Sequence, residues 1–131
     1  MEPMQPLWTF LVLVAAAINL APVFGAVSTE RMGAFYGVDL QSPNLQILMR
    51  HRAVLFGIVG GLLLVAAFYP PLRTLGYVVG FSSMLSFLVI AWRVGEYGAE
   101  MRRVVLMDAV GVAALAAAGL VHAIWLGAPA G

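Results

Sequence analysis

The chain has 131 residues, of which 63% are hydrophobic and 10% are charged, and its formal net charge is +1. An average soluble domain is about a quarter charged, and a soluble core of this size leaves too much area in water to hide so many apolar side chains. The composition therefore excludes an ordinary soluble domain, and the low net charge argues against a nucleic-acid-binding surface. The absence of cysteine excludes disulfides and thiolate metal sites.

Four apolar segments are long enough to cross a bilayer, which takes about 20 helical residues. They predict helices over residues 7–27, 43–69, 73–94 and 102–126, which we call spans 1 to 4. The apolar run of span 2 begins only at Ala53, but Ser42 has an N-cap side chain and Pro43 suits the first helical turn. The sequence thus predicts an all-α fold with one transmembrane domain over residues 1–131, an integral membrane four-helix bundle.

Three connections join the spans. The segment "STERMGAFYG", residues 28–37, predicts a capped, short amphipathic helix that ends at Gly37 and lies at the membrane interface. The segment "YPPLR", residues 69–73, predicts a tight turn, because neither proline fits a helix interior. Residues 94–103, "VGEYGAEMRR", link spans 3 and 4.

The arginines predict how the bundle is oriented. With four spans, six of the seven arginines fall at one end of the bundle, and only Arg73 falls at the other. The positive-inside rule places the six in the cytoplasm and both termini outside. The expected location is a bacterial inner membrane, with membrane lipids as the immediate partners. A homo-oligomer or a larger membrane complex also stays open, and no nucleic-acid partner is expected.

The small residues of span 2 predict which of its faces packs against other helices. At about 100° per residue, Arg50 shares a stripe with Gly57 and Gly61, a spacing that lets helices approach closely. On this basis Arg50 points into the bundle, whereas Arg52 lies on the lipid-facing side and extends to the headgroups.

Asp108 lies about one turn inside the apolar run of span 4, where an unpartnered acid costs a few kcal/mol. We therefore expect it to meet Arg50 and predict these two as catalytic residues, Asp108 as acid or base and Arg50 as an oxyanion stabiliser. Five residues at similar depth or on the same faces are predicted to bind a ligand: Asn19, Ser86, Arg93, Glu96 and Tyr97. The alternative is that the charged groups only neutralise one another and hold the helices in register. Ser86 is also expected to bond a carbonyl of its own helix.

The two histidines do not predict a cofactor or metal site. His51 lies near one end of the bundle and His122 near the other, so one subunit cannot bring both to one iron. A haem held by His51 alone at a subunit interface is the remaining alternative, and no cofactor is predicted.

Two stretches carry a family resemblance: "ERMGAFYGVDLQSPNLQILMRHRAVLFGIVGG", residues 30–61, and "SMLSFLVIAW", residues 83–92. In these the chain resembles small bacterial four-helix membrane proteins that are DoxX-like and of unassigned function. Some of them carry the label phosphopantetheine adenylyltransferase, but this chain lacks the nucleotide-binding H-x-G-H motif and a soluble α/β domain. The four-helix EXPERA proteins, which bind sterols and other lipids, offer a looser analogy of fold.

Three functions follow as expectations. The first is binding of a lipid-like or small hydrophobic ligand within the bundle, its polar head at the cytoplasmic Arg/Asp cluster; whether an isomerase- or hydrolase-type reaction follows is left open. The second is an accessory or scaffold subunit, since glycine- and alanine-rich faces suit helix packing. The third is a small proton-coupled exporter, but such exporters carry a glutamate in the first helix, where this chain offers only Asn19.

Overall fold

The computed structural model describes residues 4–26 and 28–126 and confirms the all-α fold. In this part of the chain five α-helices follow one another: α1 (Gln5–Leu20), α2 (Thr29–Tyr36), α3 (Pro43–Phe68), α4 (Arg73–Val94) and α5 (Ala99–Val121). A 3₁₀ helix (Ala21–Ala26) extends α1, a 3₁₀ turn (Pro70–Leu72) joins α3 to α4, and a π-helical turn (His122–Leu126) extends α5. Four helical segments are long and apolar enough to span a membrane, so the chain is a multi-pass membrane protein.

The helix ends follow from local sequence chemistry. Pro43 opens α3 in its first turn after Ser42, whose side chain makes no capping hydrogen bond. Pro22 lies where α1 gives way to the 3₁₀ helix, because proline has no N–H to continue the α-helical ladder. The predicted short helix between spans 1 and 2 is confirmed as α2. Ser28 caps it by accepting a hydrogen bond from the Arg31 backbone N–H, and Gly37 ends it at a φ of 66°.

The four long helices form a closed bundle in which α1 packs against α3 and α5, and α4 packs against the same two helices. Two groups of buried side chains hold it together. The first fills the bundle centre: Trp8, Val12, Ala15, Ala16, Leu63, Ala67, Met84, Leu115 and Ala118. The second joins α2 and the segment after it to the starts of α3 and α5: Met32, Tyr36, Leu40, Ala53 and Val104. The segment predicted to lie at the interface therefore also covers one end of the bundle.

The expected positions of Asn19 and Asp108 inside the bundle are confirmed. Trp8, Val12 and Asn19 are buried on α1, and Val104 and Asp108 are buried on α5. Each of these helices has one strongly polar residue within its buried face, Asn19 on α1 and Asp108 on α5. Exposing such a side chain to lipid without a hydrogen-bond or ionic partner is energetically costly. The polar residue therefore identifies the inward face.

The predicted inward face of α3 is wrong. Val54 and Leu64 on that stripe are 48% and 42% exposed, and a Cβ added at Gly61 would meet no atom within 4 Å. Gly57 contacts Val23, and the buried side of α3 is formed by Ala53, Gly60, Leu63, Ala66 and Ala67. Apolar side chains surround α3 on all sides, and in lipid they are as well accommodated outside the bundle as inside it. The hydrophobic pattern therefore does not determine which face of α3 points into the bundle. Of the adjacent glycines Gly60 and Gly61, Gly60 is the one on the buried face.

The face of α4 that carries the predicted ligand-binding residues Ser86 and Arg93 does not point into the bundle either, for the same reason. Ser82, Ser86, Ile90 and Arg93 lie on that face, and all four are exposed. The buried residues of α4 are Gly76, Gly80, Met84 and Ala91. The two glycines bring α4 close to α3, since a Cβ at Gly76 would lie 2.7 Å from the Ala66 Cβ and one at Gly80 would lie 2.9 Å from a Leu63 methyl.

Candidate functional site

Arg52, rather than Arg50, is the arginine of α3 that turns toward its neighbours. Its Cζ atom lies 4.8 Å from the centroid of the Phe56 ring on α3 and 4.7 Å from that of Phe87 on α4. The Tyr36 ring of α2 lies 5.2 Å away. All three distances are within the roughly 6 Å at which an aromatic face attracts a cation. Three helices thus hold one half-buried guanidinium between aromatic rings.

Asp108 lies on α5 close to this guanidinium. Its side chain is 6% exposed, and its Oδ2 atom is buried without a hydrogen-bond partner. Arg52 is near enough for its positive charge to act on the carboxyl group. Within the described part of the chain, however, no acidic group approaches a basic one to the 4.0 Å of a direct ion pair. Arg52 and Asp108 therefore interact through their charges, and each keeps capacity for another polar partner.

Tyr36 is the third member of this group. It is 4% exposed, and burial raises the pKa of its hydroxyl above the ordinary value of 10.0. The positive charge of Arg52 lowers that pKa and the negative charge of Asp108 raises it, both less than burial does. Each of the two charges therefore reaches the Tyr36 hydroxyl. We call Tyr36, Arg52 and Asp108 the Arg52 cluster.

The raised pKa of Tyr36 predicts a loss of stability in alkali. A group with a raised folded-state pKa keeps its full contribution below the unfolded pKa, here about 10, and loses it as the pH rises through the folded value. We expect the melting temperature in detergent to fall more steeply above about pH 10 in the wild type than in Tyr36→Phe, which cannot ionise there. Tyr69→Phe, a change at a 53% exposed ring, is the control. Parallel curves for the wild type and Tyr36→Phe would contradict the prediction.

The predicted meeting of Arg50 and Asp108 is wrong. Arg50 is exposed on α3, because the true packing face turns Arg52 toward the neighbouring helices instead. Arg93 and Glu96 are also exposed and do not complete the group. The structure therefore does not support Arg50 as a catalytic residue beside Asp108. The buried position of Asp108 is confirmed.

Of the other predicted ligand-binding residues, only Ser86 lines the groove beside Arg52, and the rest lie elsewhere. The Ser86 hydroxyl donates to the Ser83 carbonyl at 2.8 Å, which confirms that it bonds its own helix. Tyr97 is half-buried and lines a shallow surface depression with Glu96 and Arg102.

Asn19 is buried on α1. Its Nδ2 atom donates to the Ala15 carbonyl at 2.9 Å and contacts the Met84 sulfur at 3.4 Å. Its Oδ1 atom is buried without a partner. One side of this amide is thus occupied by packing within the bundle, and its oxygen is free to accept a hydrogen bond.

Sequence reasoning missed Arg52 and its aromatic neighbours. One signal for the site was present, since Phe56 follows Arg52 by four residues and side chains at that spacing meet on a helix. Tyr36 and Phe87 carry no such signal, because only the docking of α2 and α4 brings them to Arg52.

A groove extends from Arg52 between α3 and α4, with a volume of about 380 Å³. Its walls are mostly apolar, formed by Leu55, Phe56, Val59, Phe87 and Ile90, and its two serines are Ser83 and the predicted ligand-binding residue Ser86. Leu55 and Ile90 are 46% and 60% exposed, so the groove opens sideways toward the lipid. The Arg52 end of the groove is cationic, and the rest of its lining is mostly apolar.

No family model, curated protein or solved structure matches the chain.

The histidines and acids do not form a metal centre in the part of the chain that the structure describes, since no three candidate ligands converge there. His51 is exposed on α3, whereas His122 is half-buried beyond the end of α5. They lie at opposite ends of the bundle, so neither supports the other at a shared ion.

Proposed function

We propose that this protein binds a lipid-like molecule with a singly charged anionic head. The head lies at Arg52 and the apolar body lies in the groove between α3 and α4. The observation that carries the proposal is a half-buried guanidinium, held by three aromatic rings at the end of an apolar groove that opens toward lipid.

The charge and shape of the site support this ligand class. Arg52 makes no direct ion pair with the described side chains, so the fork of its guanidinium is available to a carboxylate or phosphate group. Asp108 supplies a nearby negative charge, which favours a singly charged head over a doubly charged one. The groove volume of about 380 Å³ lies within the 300–1,000 Å³ range of ordinary ligand pockets.

An isomerase- or hydrolase-type activity has less support than binding. Asp108 is the only acid of the Arg52 cluster, and it is not among the residues that line the groove. Catalysis at Asp108 would therefore require the ligand to reach past Arg52 into the bundle. Binding requires no such step.

Native mass spectrometry of the protein extracted in mild detergent tests the proposal. We expect the wild type to retain an anionic lipid-like adduct and Arg52→Gln to lose most of it. Arg50→Gln removes an arginine two residues away that is exposed, and it should keep the adduct. Val59→Phe should fill the groove without touching the charge and should also lose the adduct. Equal occupancy in the wild type, Arg52→Gln and Val59→Phe would refute the proposal.

We infer that the protein lies in a bacterial inner membrane with the Arg52 end of the bundle in the cytoplasm. Six arginines lie at that end and only Arg73 lies at the other, as the positive-inside rule requires. Reporter fusions at Met1 and Gly131 should both signal from outside the cytoplasm. A cytoplasmic signal from either terminus would overturn the orientation.

One observation favours a second candidate function, that of a subunit in a larger membrane complex. A Cβ at Gly61 would meet no atom within 4 Å, and Val54 and Leu64 on the same side are exposed, so the part of α3 around Gly61 has no partner within the described chain. Such faces suit a second transmembrane helix. Gly61→Leu should then release copurifying subunits or change the oligomeric state, and an unchanged mass of the complex would speak against this role.

A further inference from the structure

A second cavity lies at the opposite end of the bundle, where α1 begins and α5 ends. Its volume is about 470 Å³, larger than that of the groove at Arg52. Residues from three helices and the turn after α5 line it, among them Trp8, Arg73, Tyr77, Phe81, Gly119 and His122. None of these residues belongs to the Arg52 cluster or its groove.

Two residues that line the cavity each have a buried nitrogen atom without a hydrogen-bond partner. The Nε atom of Arg73 and the Nδ1 atom of His122 are buried and make no hydrogen bond. The Arg73 Cζ atom lies 4.6 Å from the centroid of the Trp8 ring, which holds the guanidinium against the wall. Among the residues that the structure describes, no acidic side chain lines the cavity and none forms an ion pair with Arg73. The polar end of the cavity is therefore arranged for an anion.

Two aromatic rings of α4 form one flat side of the cavity. Tyr77 and Phe81 lie one turn apart on α4, with ring centroids separated by 5.8 Å and ring planes inclined by 11°. The Tyr77 hydroxyl approaches α5 at Gly119 so closely that a Cβ at that position would overlap it. Leu120 at the mouth is 61% exposed, and Ala116 beside it is exposed as well, so the cavity opens toward lipid.

We propose that this cavity is a second binding site, for an amphipathic carboxylate whose single charge pairs with Arg73 and whose apolar body lies along Tyr77 and Phe81. One guanidinium matches one carboxylate in charge and in its forked geometry. His122 offers a hydrogen bond to the same head, and the aromatic wall suits a flat ring or an extended chain. The proposal does not depend on the function assigned to the Arg52 groove.

Two sources would supply this chemistry: a fatty acid from the bilayer and a soluble aromatic acid from the aqueous side. Trp8 reports on the cavity if it is the only tryptophan, so the protein for the test carries Trp92→Phe and Trp125→Phe. The probes are a dibrominated long-chain fatty acid, its methyl ester and a soluble bromobenzoate, because bromine quenches tryptophan fluorescence on contact.

We expect saturable quenching of Trp8 by at least one of the two acids and none by the ester beyond simple partitioning. The brominated fatty acid quenches if the source is the bilayer, and the bromobenzoate quenches if the source is soluble. Arg73→Gln should weaken binding at least tenfold, and Arg73→Lys should weaken it less. Arg52→Gln should leave it unchanged, which separates this site from the Arg52 groove.

A second variant guards against misfolding. Ala116→Phe should block the cavity mouth, whereas Ala117→Phe places the same ring at the next exposed residue, which does not line the cavity. Loss of quenching in the first and its retention in the second support the proposal. Quenching by the ester equal to that by the acid, no quenching by either acid, or equal binding by the wild type and Arg73→Gln in a folded protein would overturn it.

Discussion

Replacing Gly60 with leucine lowers the thermal stability of the bundle substantially, whereas the same change at the adjacent Gly61 leaves it almost unchanged. A Cβ at Gly60 would lie 2.7 Å from the Leu20 Cγ atom and 3.1 Å from the Leu20 backbone nitrogen. The side-chain atom can shift, but the backbone nitrogen of α1 cannot shift without separating the helices. Overpacking of this kind costs about 1–3 kcal/mol, and close packing is the main force between helices in lipid.

Thermal unfolding of Gly60→Leu and Gly61→Leu in the same detergent measures the difference. Gly61 is the matched control because a Cβ there would meet nothing within 4 Å. The two variants have the same composition and helix propensity, so only the position of the added side chain differs. Equal melting temperatures would show that α3 is rotated relative to the arrangement described above.

Replacing Arg52 with glutamine destabilises the protein by about 1–3 kcal/mol, and replacing Arg50 with glutamine changes its stability by less than about 0.5 kcal/mol. Loss of the Arg52 charge removes the attraction to three aromatic rings and leaves Asp108 buried without a compensating cation. The expected cost is below the roughly 3–5 kcal/mol of a broken buried ion pair, because Arg52 and Asp108 make no direct contact of that kind. Arg50 is exposed, so its charge is replaced by water.

A double-mutant cycle with Asp108→Asn isolates the interaction between the two charges. We expect Arg52→Gln/Asp108→Asn to be more stable than Arg52→Gln alone, since the second change removes the uncompensated carboxylate. If the two effects simply add, the charges are not coupled and Arg52 is held by the aromatic rings only. A larger loss in Arg50→Gln than in Arg52→Gln would mean that Arg50, as the sequence predicts, is the arginine that points into the bundle.

The sequence predicted those parts of the fold that depend on length and on local chemistry. Pro43 and Gly37 determine where α3 begins and where α2 ends, because one has a fixed φ and the other adopts a left-handed conformation. Asp108 identified the buried side of α5, because a carboxylate in lipid is costly enough to outweigh other preferences. Each of these inferences needs only one residue and its immediate neighbours.

The rotation of α3 and α4 was not predictable by the same means. In water, an apolar stripe distinguishes the core from the surface. In a bilayer, Leu63 and Leu64 are equally well accommodated in the bundle core and against lipid. Leu63 is fully buried and Leu64 is 42% exposed. The choice between them depends on how Gly60 fits against Leu20, which is a contact between two helices. The Arg52 site could not be predicted without this rotation, because its aromatic rings come from α2, α3 and α4.

The position of α2 has a consequence for the way in which the chain is synthesised. Met32 and Tyr36 of α2 pack against Ala53 of α3 and Val104 of α5, so part of the surface that receives them is translated only after α4. The three-residue turn between α3 and α4 allows those two helices to enter the bilayer together as a hairpin. In contrast, α2 cannot complete its packing until α5 is present. A nascent chain that ends before Ala99 has three spanning helices, but it lacks the α5 part of the surface against which α2 packs. Closure of that end of the bundle therefore follows the emergence of α5 from the ribosome.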